Sequence, residues 1–157
     1  MTFMKKILIL HSFYGKSAPS GENSAVKEDC EYLKSVGYEV KLLKLESDEL
    51  NKFGFLKHFV GAMYYLTGIR SIRLVNNICE KFKPDVIHIH NLFPMFSLWI
   101  LYFIKRKARV IYTFHNYRNY CIAGYPYRND SECTLCFKGY QFHGLYNKYY
   151  RNNTIAS

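Results

Sequence analysis

The stretch TFHNYRNYCIAGYPYRNDSECTLC sets His115 ahead of three cysteines, Cys121, Cys133 and Cys136. Cys133 and Cys136 stand at the Cys-x-x-Cys spacing of a zinc knuckle, and Cys121 offers a third thiolate. A closed structural zinc site takes four ligands, and the nearby fourth is His143 or a water. Reduced thiols packing a long loop are the other reading of the same residues. A second group of candidates lies upstream, in DVIHIHN. His88 and His90 are two apart, so on a strand they face the same way. His88, in mid-strand, reads as a hydrogen-bonded core histidine, whereas His90 and Asn91 at the strand end are placed to meet a ligand. His115 and Asn116 hold the equivalent place on the next strand. An imidazole and an amide at each of two strand ends suit a hydroxyl-rich ligand such as a sugar, and histidine can serve as acid, base or donor near neutral pH. The loop HSFYGKSAPSGENS has Gly15 and Gly21 but no GxGxxG. Amides at the start of a helix following Ser20 can hold a phosphate, with the helix dipole assisting, and an ordinary N-cap after a flexible loop explains the same residues.

These residues need a scaffold, and the chain alternates strand and helix. KKILILH (5–11) reads as a buried strand. The next segment is a helix with Ser20 as N-cap, Glu22 in its first turn, and Val26, Cys30 and Leu33 on one face. Gly37 closes it as a left-handed C′ residue. YEVKLLKL (38–45) is a second strand, followed by a helical stretch from Asp48 to Thr67. A further helix from Ile69 puts Ile72, Val75, Cys79 and Phe82 on one side until Pro84 stops it. DVIHIH (85–90) is a third strand, Pro94 to Lys107 a helix, Arg109–Phe114 a fourth strand and Tyr140–Arg151 a last helix. Such alternation predicts a Rossmann-like three-layer α/β/α sandwich around a mostly parallel sheet. Ligands of such sheets bind beyond the carboxyl ends of the strands. That rim gathers His11–Gly21, Leu45–Asp48, His90–Pro94 and His115–Cys121.

Composition narrows the function classes. With 157 residues, 49% hydrophobic and 22% charged, the chain is neither disordered nor fibrous, and no repeat is visible. The apolar core Ile7–Leu10 is too short for the h-region of a signal peptide, and LFPMFSLWILYFI (92–104) is too short to span a bilayer. Five cysteines, an odd number, point to a reducing interior. The cytoplasm is therefore the expected location. A formal charge of +10 favours anionic partners. The segment GFLKHFVGAMYYLTGIRSIR (54–73) mixes aromatics with Lys57, Arg70 and Arg73, so it suits the anionic inner face of a cell membrane as well as it suits packing into the domain.

The blocks KILILHSFY, PSGENS, LKSVGYEVKLL, FKPDVIHIHNLFP, VIYTFHNYRNYC and CTLCFKG together resemble the N-terminal domain of family 4 glycosyltransferases of the GT-B fold. The likeness is to bacterial enzymes of capsule, lipopolysaccharide and exopolysaccharide assembly, and it runs over nearly the whole chain. It implies a retaining transferase that moves a sugar from a nucleotide-sugar donor to a glycan or polyprenyl-diphosphate-linked acceptor. It also implies that the N-terminal domain holds mostly acceptor while a C-terminal domain binds most of the donor. Carried over by position, the family's first loop falls on Ser20, Gly21, Glu22 and Asn23, near the donor phosphates. The histidine that meets the donor sugar falls on His115, the catalytic candidate. His90 and Asn91 match the family's HN pair, and Asn116 and Arg118 complete the substrate-binding candidates. No cofactor is required for transfer, since positive groups and helix amides can stabilise the departing diphosphate; a structural zinc on Cys121, Cys133 and Cys136 is the only metal suggested.

Two departures stand out. Relatives typically show Gly-Gly where Ser20-Gly21 stands here, and a fourth cysteine near Tyr149. The chain ends at RNNTIAS, about where the family's next helix begins. The expectation is thus a single acceptor-side domain over 1–157, lacking the C-terminal nucleotide-sugar domain and inactive alone, whether as a truncated chain, a broken reading frame, or a subunit completed by a second chain or domain. Two other classes compete. A basic cysteine-knuckle module for nucleic acid would cluster Lys and Arg with aromatics on one surface, yet only Lys105–Arg109 is dense, so no nucleic-acid partner is expected. A nicotinamide-dependent oxidoreductase would carry a fingerprint that is absent.

Overall fold

The computed structural model describes residues 5–15, 20–117, 120–121 and 123–139. They form two compact units, residues 1–113 and 114–157 of the chain. The first unit is built on four parallel strands, β1 (Lys6–Phe13), β2 (Glu39–Glu46), β3 (Val86–Asn91) and β4 (Arg109–Tyr112), in the order β2-β1-β3-β4. Helices α1 (Gly21–Ser35), α2 (Lys57–Thr67), α3 (Ile69–Phe82) and α4 (Trp99–Ile104) connect them.

Alternation along each strand sends side chains to two cores. On one face Leu8, Leu10, Ile87 and Ile89 pack with Val75, Cys79 and Phe82 of α3 and with Phe96, Ile100 and Ile104. On the other, Ile7, Ile9 and Phe13 meet Val26 and Cys30 of α1. Burial pushes the Cys30 and Cys79 thiols above their ordinary value, as expected of small apolar core residues rather than ligands.

Local chemistry sets the element ends. Ser20 is extended and its Oγ accepts from Glu22 N at 3.2 Å, so the expected N-cap is present. At the other end Gly37, at φ 91°, lets its own amide reach Lys34 O and the Tyr38 amide reach Leu33 O, the paired bonds of a Schellman motif.

The helical stretch expected from Asp48 to Thr67 is present but of two kinds, and the helix expected from Pro94 is corrected. Ser47–Leu56 is a run of 3-10 turns with Gly54 at φ 53° inside it, and the α-helix begins only at Lys57. The expected helix over 94–107 shrinks to α4. Leu92 O accepts from Phe96 N in a single turn, Ser97 Oγ takes the Trp99 amide at 3.3 Å, and the helical bonds start with Ile100 N to Ser97 O and Leu101 N to Leu98 O. The expected helix over 140–151 lies outside the described residues.

The second unit contains a short antiparallel pair, β5 (Tyr127–Arg128) and β6 (Ser131–Glu132). Asn129 and Asp130 join them, both with positive φ (48° and 57°), as a tight hairpin turn requires. A 3-10 turn over Leu135–Lys138 follows.

Candidate functional site at the strand ends

Within the first unit, the carboxyl ends of β1, β2 and β3 bring three of the four expected rim segments together. Gly15 N donates to Ser47 Oγ at 3.1 Å, tying the loop after β1 to the residue after β2. A side chain at Gly15 would meet the Asp48 carboxylate, which would have to swing aside to admit it.

From this edge α1 aims its first turn at β3. Asn91 Nδ2 donates to Glu22 Oε2 at 2.9 Å and to the Tyr14 hydroxyl at 3.1 Å, while its Oδ1 accepts from Phe93 N at 3.0 Å. Asn23 Nδ2 donates to Tyr14 O at 3.2 Å, which turns Asn23 Oδ1 toward His11 Nε2 at 3.0 Å. Because that amide oxygen can only accept, Nε2 is the protonated nitrogen of His11 in this bond. Glu22, Asn23 and Asn91 therefore form one polar wall with Tyr14 and His11. It holds one carboxylate and two side-chain amides in fixed directions.

Deeper on the α1 side of the sheet lies a row of imidazoles. His11 and His90 are buried, with ring centroids 6.2 Å apart and edge to face. The His88 and His90 ring centroids are 4.1 Å apart, with the rings tilted by 39°. His88 Nε2 lies 2.8 Å from Thr113 Oγ1, so His88 is indeed a hydrogen-bonded histidine of the sheet. His90 Nε2 is 3.5 Å from Asp29 Oδ2. The ligand atoms of Asp29, His88 and His90 all lie within 4.8 Å of one another, a grouping able to hold a metal ion.

His115, Asn116 and the cysteines belong to the second unit. His115 and Asn116 are half-buried. Cys121 and Cys136 are buried and Cys133 is half-buried. Burial raises the Cys136 thiol above its ordinary value, and the neighbouring Cys121 and Cys133 sulfurs add to the rise. Cys121 Sγ donates to Tyr125 O at 3.5 Å. A cleft of about 350 Å³ opens between Cys121, Cys133, Tyr125 and the Asn129-Asp130 turn. Arg118, His143 and Tyr149 lie outside the described residues.

Spacing alone singles out neither Tyr14 nor Asp29. The helical pattern held a partial signal: Asp29 is three residues past Val26 and beside Cys30, at the margin of the buried face of α1.

A parallel α/β sheet with its polar groups at the strand ends is the Rossmann-like half of a GT-B fold. The family model for Glycosyltransferase Family 4 matches residues 19–152, and the chain belongs to that family. It is a glycosyltransferase domain, whose partners are in general a sugar donor and an acceptor. Neither the curated proteins nor the solved structures include a significant match.

Proposed function

We propose that the protein transfers a sugar from a nucleotide-sugar, with retention of configuration, to a glycan or polyprenyl-diphosphate-linked acceptor in cell-surface polysaccharide synthesis. The observation that carries this reading is the polar wall of Glu22, Asn23 and Asn91 at the start of α1, on a chain of family 4. The wall supplies acceptors and donors for hydroxyls. The positive end of the α1 dipole favours the diphosphate that leaves as the sugar is transferred. The chemistry asks for no cofactor, and the Cys121, Cys133 and Cys136 thiols brace the second unit, as free thiols or around a structural zinc. Protection against heating tests the reading. A nucleotide-sugar at about 100 times its dissociation constant should stabilise the fold by about 2.7 kcal/mol, whereas NAD and single-stranded DNA should leave the melting temperature unchanged. Protection by single-stranded DNA with none by any nucleotide-sugar would return the nucleic-acid module as the better account.

The same reading seats the protein on the anionic inner face of a membrane. Leu56, Phe59, Met63 and Leu66 recur at i, i+3, i+7 and i+10 along α2 and its entry, all exposed, and Phe55 beside them is 91% exposed. An apolar stripe turned to solvent costs free energy that a lipid interface removes, and Lys52 and Lys57 stand beside it for anionic head groups. Arg70 does not join them, because it pairs with Glu49 and lies over the Tyr64 ring. Burial works against ionisation of Glu49, but the bond and charge of Arg70 and the Glu46 amide outweigh it and hold the carboxyl below its usual range. The attachment proposed is peripheral; no helix among the described residues is long and apolar enough to cross a membrane. The protein should float with anionic vesicles at low salt, and Phe59→Asp should leave most of it at the bottom of the gradient. Wild-type protein that fails to float at low salt refutes the attachment.

A further inference from the structure

We infer that Asp29, His88 and His90 form a binding site for a borderline divalent cation such as Zn²⁺ or Co²⁺, clamping α1 to β3. Two imidazoles from alternate positions of one strand and a carboxylate from the helix above it converge, with their ligand atoms within 4.8 Å of one another. Donors about 2.0–2.2 Å from a tetrahedral ion sit roughly 3.4 Å apart. His90 Nε2 and Asp29 Oδ2 are already separated by 3.5 Å. The remaining separations, none above 4.8 Å, must close to about 3.4 Å as the ion binds. Nitrogen-rich ligation with one carboxylate selects zinc, cobalt, nickel or copper over magnesium and calcium, which prefer all-oxygen shells.

The surroundings fit this role. Ligating histidines usually spend their second ring nitrogen on an outer partner that fixes the ring, and Thr113 Oγ1 stands 2.8 Å from His88 Nε2 as such a partner. The His90 side chain is fully buried, so its position is set by packing, whereas Asp29 is 49% exposed and leaves an entry path along the flank of α1. Three protein ligands leave one position for water, as in open zinc sites. Its donor set is nitrogen and oxygen, whereas the cysteine loop offers sulfur. It is also not needed for sugar transfer, so its loss would loosen the seam between α1 and the sheet rather than remove the chemistry.

Cobalt distinguishes the two metal readings, because thiolate ligands give strong charge-transfer absorption and imidazole with carboxylate gives only weak visible bands. The chelator-treated chain, titrated with Co²⁺ alone, should bind about one equivalent with the nitrogen–oxygen spectrum. In Asp29→Asn and His88→Gln the affinity should fall by about 100-fold or more, beyond the roughly 10–100-fold typical of losing an outer-shell partner. No uptake, a purely thiolate spectrum, or unchanged binding in Asp29→Asn would each overturn the site. Should that variant not fold by circular dichroism, the spectrum of the unaltered chain decides alone. Sugar-nucleotide binding is read separately by thermal protection, so failure of the metal site leaves the transferase reading standing.

Discussion

Replacing Phe96 with alanine should cost the first unit about 3–5 kcal/mol, the range for deleting a buried aromatic ring. Phe96 has no exposed surface and belongs to the core that also holds Leu10, Ile87, Ile89, Ile100 and Ile104. The neighbours come from three strands and helices whose backbones are tied by hydrogen bonds, so the site cannot collapse around the void. With total stabilities of about 5–15 kcal/mol for domains of this kind, the variant would lie close to its folding threshold. Its melting temperature should drop by about 10 °C or more. Urea unfolding followed by circular dichroism measures the loss. A loss under about 1 kcal/mol would mean that the ring packs loosely and that Phe96 is no keystone of this core.

Phe96 also illustrates what was legible in the sequence. Strand β1 stood out because both its faces are covered and Ile7–Leu10 run on without a polar residue, β3 because Val86, Ile87 and Ile89 are β-branched and follow Pro84, and the ends of α1 because Ser20 and Gly37 have backbone-specific roles. The run 92–104 did not resolve. An apolar stretch with period 3.6 reads as helix, and nothing in residue type reveals that Ser97 captures the Trp99 amide and delays the helix to its last six residues. The β5–β6 hairpin was equally hidden, since strands of two residues have no periodicity and only the Asn129-Asp130 turn carries a signal. At the site, His90 and Asn91 could be placed at a strand end from sequence. Their partners could not, because Glu22 is 69 residues from Asn91 and the pairing depends on how α1 lies across the sheet. Periodicity tells which face a residue shares; it does not tell which residue of another element stands opposite.

With the protein turning over donor and acceptor, His115→Ala is expected to lower turnover by roughly 10²-fold or more, as loss of a positioned polar or acid–base group does. That corresponds to about 2.7 kcal/mol of transition-state stabilisation. His115 follows β4 by three residues in the chain, and donor-sugar contact at this histidine is the proposal that the variant tests. His115 is half-buried, in a bend rather than a core, so its removal should shift stability by only about 0.5 kcal/mol. Activity and stability are therefore expected to separate. His115→Gln then divides the two ways an imidazole can act. If a hydrogen bond to the sugar carries the effect, glutamine should restore much of the turnover, since its amide also donates; if proton transfer carries it, glutamine should do no better than alanine. Melting temperatures of both variants, measured beside their rates, guard against misreading a folding defect as a catalytic one. Full activity in His115→Ala, or loss of its fold, would show that this histidine holds the loop after β4 in place and takes no part in the transfer.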